Sequence, residues 1–108
     1  MREYDIEVER LRELRDAAEP CVVVDVREAW EVEICAFDNA RHIPLAELAG
    51  RLGEMPSAGP IVVLCHRGQR SARAVDFLRA RGFPEAVNLR GGIDAWAARI
   101  DPAMARYD

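Results

Sequence analysis

The sequence predicts an α/β domain built on a mostly parallel sheet. Short apolar runs of strand length, chiefly Cys21 to Val24, Ile61 to Leu64 and Val87 to Leu89, recur along the chain, with apolar residues at helical spacing between them. Continuous apolar runs read as strands buried on both faces, and strands separated by helical patterns favour parallel pairing.

Taken in order, the elements follow from spacing and punctuation. A very short strand at Tyr4 to Ile6 precedes a helix whose stripe is Val8, Leu11, Leu14 and Ala18. Pro20 marks the start of the strand Cys21 to Val24. Glu28 to Val32 gives a weak helical turn, "RHIP" a short strand closed by Pro44, and Leu45 to Leu52 a short helix ending near Gly53. "PSAGP", residues 56 to 60, is a loop before the strand Ile61 to Leu64. A turn at Cys65 to Arg70 leads into a helix from Ser71 to Arg81; Gly82 stands where a left-handed cap belongs, and Pro84 prevents continuation. Val87 to Leu89 is the next strand, "RGG" a turn, and Ile93, Trp96, Ala97 and Ile100 define a last amphipathic helix.

Composition narrows the classes of function. A chain of 108 residues, half apolar and 31% charged, fits one domain over residues 1–108, and a monomer is expected. The net charge of −4, with both signs interspersed, argues against nucleic acid, although a small basic patch stays open. "MREYDIEVERLRELRD" has no apolar segment for a signal peptide, and no apolar run approaches the roughly 20 residues that cross a bilayer, so a soluble cytoplasmic protein is expected. Cys21, Cys35 and Cys65 are odd in number and form no CxxC pair, against a disulfide scaffold. His42 and His66 stand in no zinc-ligand spacing with them, so no metal is expected.

The chemistry concentrates in "IVVLCHRGQRSARAVDFL", residues 61 to 78. Cys65 falls where a parallel strand ends and a helix is about to begin, the position at which open α/β sheets bind ligands. Gly68 lets the turn aim backbone N–H groups inward, and the helix starting near Ser71 directs its positive end at the sulfur. Arg67 and Arg70 add positive charge. Each of these favours thiolate over thiol, which makes Cys65 a candidate nucleophile, where a lone cysteine is more often a small core residue.

"DVREAWEVEI", "RHIPLAEL", "CHRGQRSARAVDFLRARGF" and "VNLRGGIDAWAARI" together resemble the single-domain rhodanese family, in matching order over nearly the whole chain. "CHRGQRS" fits the family's active-site pattern of Cys, two variable residues, Gly, one variable residue, Arg and Ser. The resemblance implies a three-layer fold, with helices on both sides of the sheet, and a sulfurtransferase that carries sulfur as a persulfide on Cys65. It implies an active-site loop of His66, Arg67, Gly68, Gln69, Arg70 and Ser71, whose N–H groups would stabilise the persulfide.

A small sulfur donor such as thiosulfate, an acceptor such as cyanide or a thiol, and no cofactor are expected. The tail "GGIDAWAARIDPAMARYD" resembles rhodanese domains fused to enzymes that activate sulfur-carrier proteins, which makes such a carrier a conceivable acceptor. Arg70 is expected to brace the loop near Asp25, because the family pairs these positions. Arg67 faces either the anionic donor or solvent, and His66 occupies a variable position. Asp25 and Arg27 are read as loop-supporting, since a charged pair at a strand end usually organises loops. Arg41 stands where the family usually has the glycine before His42. Trp30 and Trp96 are read as core or rim aromatics, Cys21 as inert and buried, and Cys35 as either incidental or a resolving cysteine.

Two other classes compete with sulfur transfer. Phosphatase and arsenate-reductase relatives use a similar loop with one more residue, whereas four residues separate Cys65 from Arg70 here. A non-catalytic interaction module is common among domains that have lost the cysteine, and Cys65 is present.

Overall fold

The computed structural model describes residues 2–56 and 59–108. Five parallel strands, β1 (Asp5–Ile6), β2 (Val22–Asp25), β3 (Arg41–His42), β4 (Ile61–Leu64) and β5 (Ala86–Leu89), form one sheet in the order β1-β5-β4-β2-β3. The helices are α1 (Val8–Asp16), α2 (Ala29–Ile34), α3 (Gln69–Ala80) and α4 (Gly92–Arg99), with a run of 3₁₀ turns at Leu45–Glu54. None of these helices is long and apolar enough to cross a membrane.

Alternation along the central strands divides the core into two layers. Val24, Val26, Ile61, Val63 and Cys65 pack with Leu48 of the 3₁₀ segment and with Ala74, Val75 and Leu78 of α3. Val23, Val62 and Leu64 point to the other face, against Val8 and Leu11 of α1 and Ile93 of α4. The sheet therefore has helices on both sides, and its middle strand, β4, is buried along its whole length.

Several boundaries differ from the sequence reading for local reasons. β2 begins at Val22, not Cys21, and Cys21 is only half-buried. The ladder with β4 starts at Val22 opposite Ile61, and the residue before Ile61 is Pro60, which has no N–H to extend it. α1 stops at Asp16, which leaves Ala18 exposed in a left-handed turn (φ 54°) instead of on the buried stripe. The helix expected over Leu45 to Leu52 is wound as 3₁₀ turns and broken at Arg51 (φ −125°). α3 starts two residues before Ser71, because Gly68 adopts φ 99° and lets the chain enter the helix at once. Ser57 and Ala58 of the expected loop lie outside the described residues.

A buried ion pair closes the end of β2. Arg27 and Asp25 are 0% and 2% exposed, and Arg27 Nη2 donates to Asp25 Oδ2 at 2.7 Å while its Nε donates to Oδ1 at 3.0 Å. The same guanidinium donates to the carbonyls of Cys35 (2.8 Å) and Glu31 (3.3 Å), and so takes the place of the absent basic residue in the last turn of α2. The backbone N–H of Arg27 also donates to Asp25 Oδ1, at 3.0 Å. Truncating one partner of such a pair strands a charge away from water. Arg27→Met is therefore expected to lower the urea-derived stability by about 3–5 kcal/mol, and adding Asp25→Asn should recover part of that loss.

Candidate functional site

The strand ends on the carboxyl side of the sheet bring the loop between β4 and α3 against the start of α4. The carbonyls of Cys65 and His66 accept hydrogen bonds from the N–H groups of Ile93 and Asp94, each at 3.0 Å. Those donors belong to the first turn of α4, where a helix has no carbonyl of its own to offer. Gly92 makes the docking sterically feasible. It holds φ 62°, and a Cβ there would lie 2.5 Å from both the Cys65 and the His66 carbonyl oxygen. These two bonds fix the loop against α4, and the N–H that reaches the sulfur is that of Gly68, one peptide further on.

Cys65 is 1% exposed, and its Sγ accepts a hydrogen bond from the Gly68 N–H at 3.1 Å. Ser71, fully buried in the first turn of α3, places its Oγ 3.3 Å from the same sulfur. Gln69, Arg70 and Ser71 open α3, so their N–H groups have no partner within the helix. The structure thus gathers Cys65, Gly68 and Ser71 around one point at a helix N-terminus, where the backbone dipoles favour an anion, while the side chain of Gln69 is exposed. Asn88 of β5, which the sequence reading did not single out, lies beneath them: its Nδ2 donates to the Gly68 carbonyl at 3.2 Å and to Asp5 Oδ1 at 3.0 Å.

The loop arginine is not where the resemblance put it. Arg70 donates from Nη1 and Nη2 to the two oxygens of Glu31, both at 2.7 Å, while Asp25 is occupied by Arg27. The reason is local. Arg27 stands only two residues from Asp25 and satisfies its carboxylate completely, whereas Glu31, the third residue of α2, faces the loop and also caps Glu28 N at 2.9 Å. Arg70 therefore works as half of a two-pronged ion pair that ties the loop to α2.

Tyr107, near the C-terminus, joins these groups. Its hydroxyl accepts from Arg27 Nη1 at 3.1 Å and donates to Glu31 Oε1 at 2.9 Å. Its ring stacks on His66 with centroids 3.9 Å apart, and its carbonyl accepts from His66 Nε2 at 2.8 Å. His66 is thus held by the tail. Burial, together with the bond to Glu31, pushes the Tyr107 phenol up to about 12. Trp30, edge-on to Tyr107 at 5.8 Å, is 57% exposed and belongs to the rim. Trp96 packs edge-on against the buried Phe37 at 4.6 Å.

The remaining positions lie further out. Arg67 is 55% exposed and only 3.9 Å from the carboxylates of Asp94 and Asp108, a loose arrangement on the open side of the loop. His42 meets the Arg27 carbonyl at 2.7 Å and supports the Asp25 turn. Cys35 is half-buried beside Arg27 Nη1, at 3.9 Å.

Glu31, Asn88 and Tyr107 were absent from the sequence reading. Glu28 and Glu31 carry the spacing of a capping box, and Asn88 is a polar residue inside an apolar strand, so both left a signal. Nothing local marks Tyr107.

The rhodanese-like domain family matches residues 7–99 of the chain. The chain is 32% identical to a sulfurtransferase of Allochromatium vinosum, with 94% of each covered. It is 33% identical to the adenylyltransferase and sulfurtransferase MOCS3 of Arabidopsis thaliana over 97% of its own length, but spans only 26% of that protein. Among solved structures it overlays on a rhodanese-like domain protein of Staphylococcus aureus with a TM-score of 0.82 at 29% identity, covering 96% of this chain and 98% of that one.

Two outcomes follow from this geometry. The bonds from Arg70, reinforced by the capping contact to Glu28 and the Tyr107 hydroxyl, draw the Glu31 carboxyl down from 4.5 to about 2. A carboxyl lowered by folding stabilises the native state above its unfolded value, and that contribution is lost as pH falls through the folded one. Wild-type stability, followed by urea unfolding, is expected to decline between about pH 4.5 and about pH 2, and Glu31→Gln should be less stable at neutral pH and flatter over that range. Gly92→Ala, which drives a Cβ into two loop carbonyls at a positive φ, is expected to cost at least about 2 kcal/mol in the same assay.

Proposed function

Because the chain belongs to the rhodanese-like domain family, we propose that it is a sulfurtransferase whose sulfur is carried on Cys65. The observation that carries the reading is the Gly68 N–H donating to Cys65 Sγ at 3.1 Å, at the opening of α3. A buried sulfur gains no solvation from water when it becomes an anion, and fixed N–H dipoles supply that stabilisation without reorganising.

The reaction has two displacements. The Cys65 thiolate attacks the outer sulfur of thiosulfate or a similar sulfane donor; a new S–S bond forms as the donor's S–S bond breaks, and sulfite leaves with the bonding electron pair. The product, Cys–S–S⁻, carries the charge on the added sulfur. Gly68 N–H and the free N–H groups of Gln69 to Ser71 are the donors available to it. A thiophilic acceptor, cyanide in an assay or a thiol, then attacks that outer sulfur and returns the thiolate. No cofactor enters either step.

Arg67 is the residue proposed to meet the anionic donor, since Arg70 is committed to Glu31. Asp25 and Arg27 support the loop through α2 and Tyr107, without touching the sulfur. The MOCS3 relative joins an adenylyltransferase to its sulfurtransferase, which supports a sulfur-carrier protein as an acceptor to be tried beside small thiols.

The test uses thiosulfate. Incubation should add the mass of one sulfur atom, mapped to the Cys65 peptide and removed by cyanide with formation of thiocyanate. Cys65→Ser should abolish both signals, while Cys21→Ser and Cys35→Ser retain them. Thiocyanate production at the wild-type rate in Cys65→Ser would overturn the reading. Cys65-dependent hydrolysis of aryl phosphates at a comparable rate would favour phosphatase chemistry despite the short loop.

A further inference from the structure

Ser71 offers one hydroxyl hydrogen to two acceptors. Its Oγ lies 3.3 Å from Cys65 Sγ and 2.5 Å from Asn88 Oδ1. The orientation of Asn88 decides between them. Its other amide atom faces Asp5 Oδ1 at 3.0 Å and the Gly68 carbonyl at 3.2 Å, and a carboxylate and a carbonyl both require a donor there. The NH₂ group must therefore point at Asp5 and Gly68, and the oxygen at Ser71. Asn88 and Ser71 are both buried, so no water competes for the hydroxyl.

From this we infer that Asn88, a residue that never touches the sulfur, is a positioning residue that sets the thiol–thiolate balance of Cys65 by holding the Ser71 hydrogen. With Asn88 Oδ1 accepting that hydrogen, the Ser71 oxygen turns its lone pairs to the sulfur and accepts from the Cys65 S–H. When the thiol proton is lost to solvent, Ser71 can donate to the thiolate only by leaving Asn88. This hold acts in the direction opposite to the Gly68 N–H and the dipole of α3, which favour the anion.

Other charges around the sulfur act on both forms of the network alike. Arg70 on α3 is paired with Glu31, Asp25 on β2 with Arg27, and Asp94 on α4 with Arg106, while His66 and Arg67 lie in the loop itself. Asp5 on β1 reaches the sulfur only through Asn88 and Ser71.

The inference deepens the proposed role of Cys65, but its test needs no sulfur transfer. In a protein whose only cysteine is Cys65, iodoacetamide alkylation is measured from neutral pH to its alkaline plateau. The ratio of the neutral rate to the plateau rate reports the thiolate fraction and cancels changes in access. Asn88→Leu, which keeps the volume and removes the acceptor, is expected to raise that ratio by about threefold or more. Ser71→Ala removes an acceptor from the thiol and a hindered donor from the thiolate together, and should change the ratio by less than about twofold. In the Ser71→Ala background Asn88→Leu should add nothing.

A fall of about tenfold in Ser71→Ala would mean that Ser71 is a free donor to the thiolate, and would overturn the inference. So would an unchanged or lowered ratio in Asn88→Leu, or a rise that persists without Ser71. If Asn88→Leu does not fold, Ser71→Ala, which loses one buried oxygen, decides between the two accounts. Failure to form a persulfide with these ratios intact would count against the proposed reaction and leave the Asn88 assignment standing.

Discussion

The site depends on a backbone constraint, the docking of two loop carbonyls onto the first turn of α4. A peptide carbonyl and the next N–H point in opposed directions, so turning the Cys65 and His66 oxygens toward Ile93 and Asp94 turns the His66 and Arg67 N–H groups away from α4, and the Gly68 N–H, one peptide further on, reaches the sulfur. The docking has a steric condition, since Gly92 sits where any side chain would collide with both oxygens. Gly92 and the position of the sulfur thus belong to one arrangement, although Gly92 lies 27 positions along the chain from Cys65. The loop also contributes to α4 in return, by supplying acceptors to donors that the helix cannot satisfy itself.

Around that constraint, two side-chain frameworks hold the loop from opposite sides. On one side Glu31 grips Arg70 with two bonds of 2.7 Å and is itself fixed by Glu28 and Tyr107. On the other, Asn88 holds the Gly68 carbonyl from beneath. The first framework changes how the arginines should be weighed. A guanidinium bonded at both prongs to a carboxylate has much of its charge offset, although Arg70 still lies close enough to Cys65 for the two charges to interact, and Arg67 is exposed enough for solvent to screen it. A direct N–H donor at 3.1 Å is not screened in this way, so the backbone outranks both arginines as the stabiliser of charge on Cys65.

This ranking bears on what a reader of the sequence can see. The strands, the helix after Cys65 and the place of the sulfur at a strand end were legible because they depend on short-range pattern: the apolar run Ile61 to Leu64, the permissive Gly68, and apolar spacing in α3. The partner of Arg70 was not, because Asp25 and Glu31 are both acids near the end of β2, and only the side chain of Arg27 decides which is free. Tyr107 was illegible for a different reason. Its contact with Glu31 spans 76 positions and its contact with Arg27 spans 80, through a tail with no regular structure whose course no local periodicity encodes. Asn88 lies between these cases. A polar side chain in a buried strand must have a partner, so its importance was readable even though the identity of the partner was not.

The burial of Cys65 ties these observations together. The same residue extends the alternation of β4 into the apolar layer beneath α3 and presents the sulfur to the loop, so its environment is half core and half polar. Burial alone disfavours an anion, and every donor that offsets it must already be in place, because side chains packed at core density cannot swing in when charge appears. The backbone N–H of Gly68 meets that requirement, whereas a long cationic side chain at the surface does not, and the buried Ser71 hydroxyl has its hydrogen held by Asn88. The added sulfur of a persulfide would carry its charge one bond further from the core than the thiolate, toward the unpartnered N–H groups at the start of α3. On the proposed reading, such a site would favour charge on the second sulfur over charge on the first, the ordering that a carrier of transferable sulfur requires.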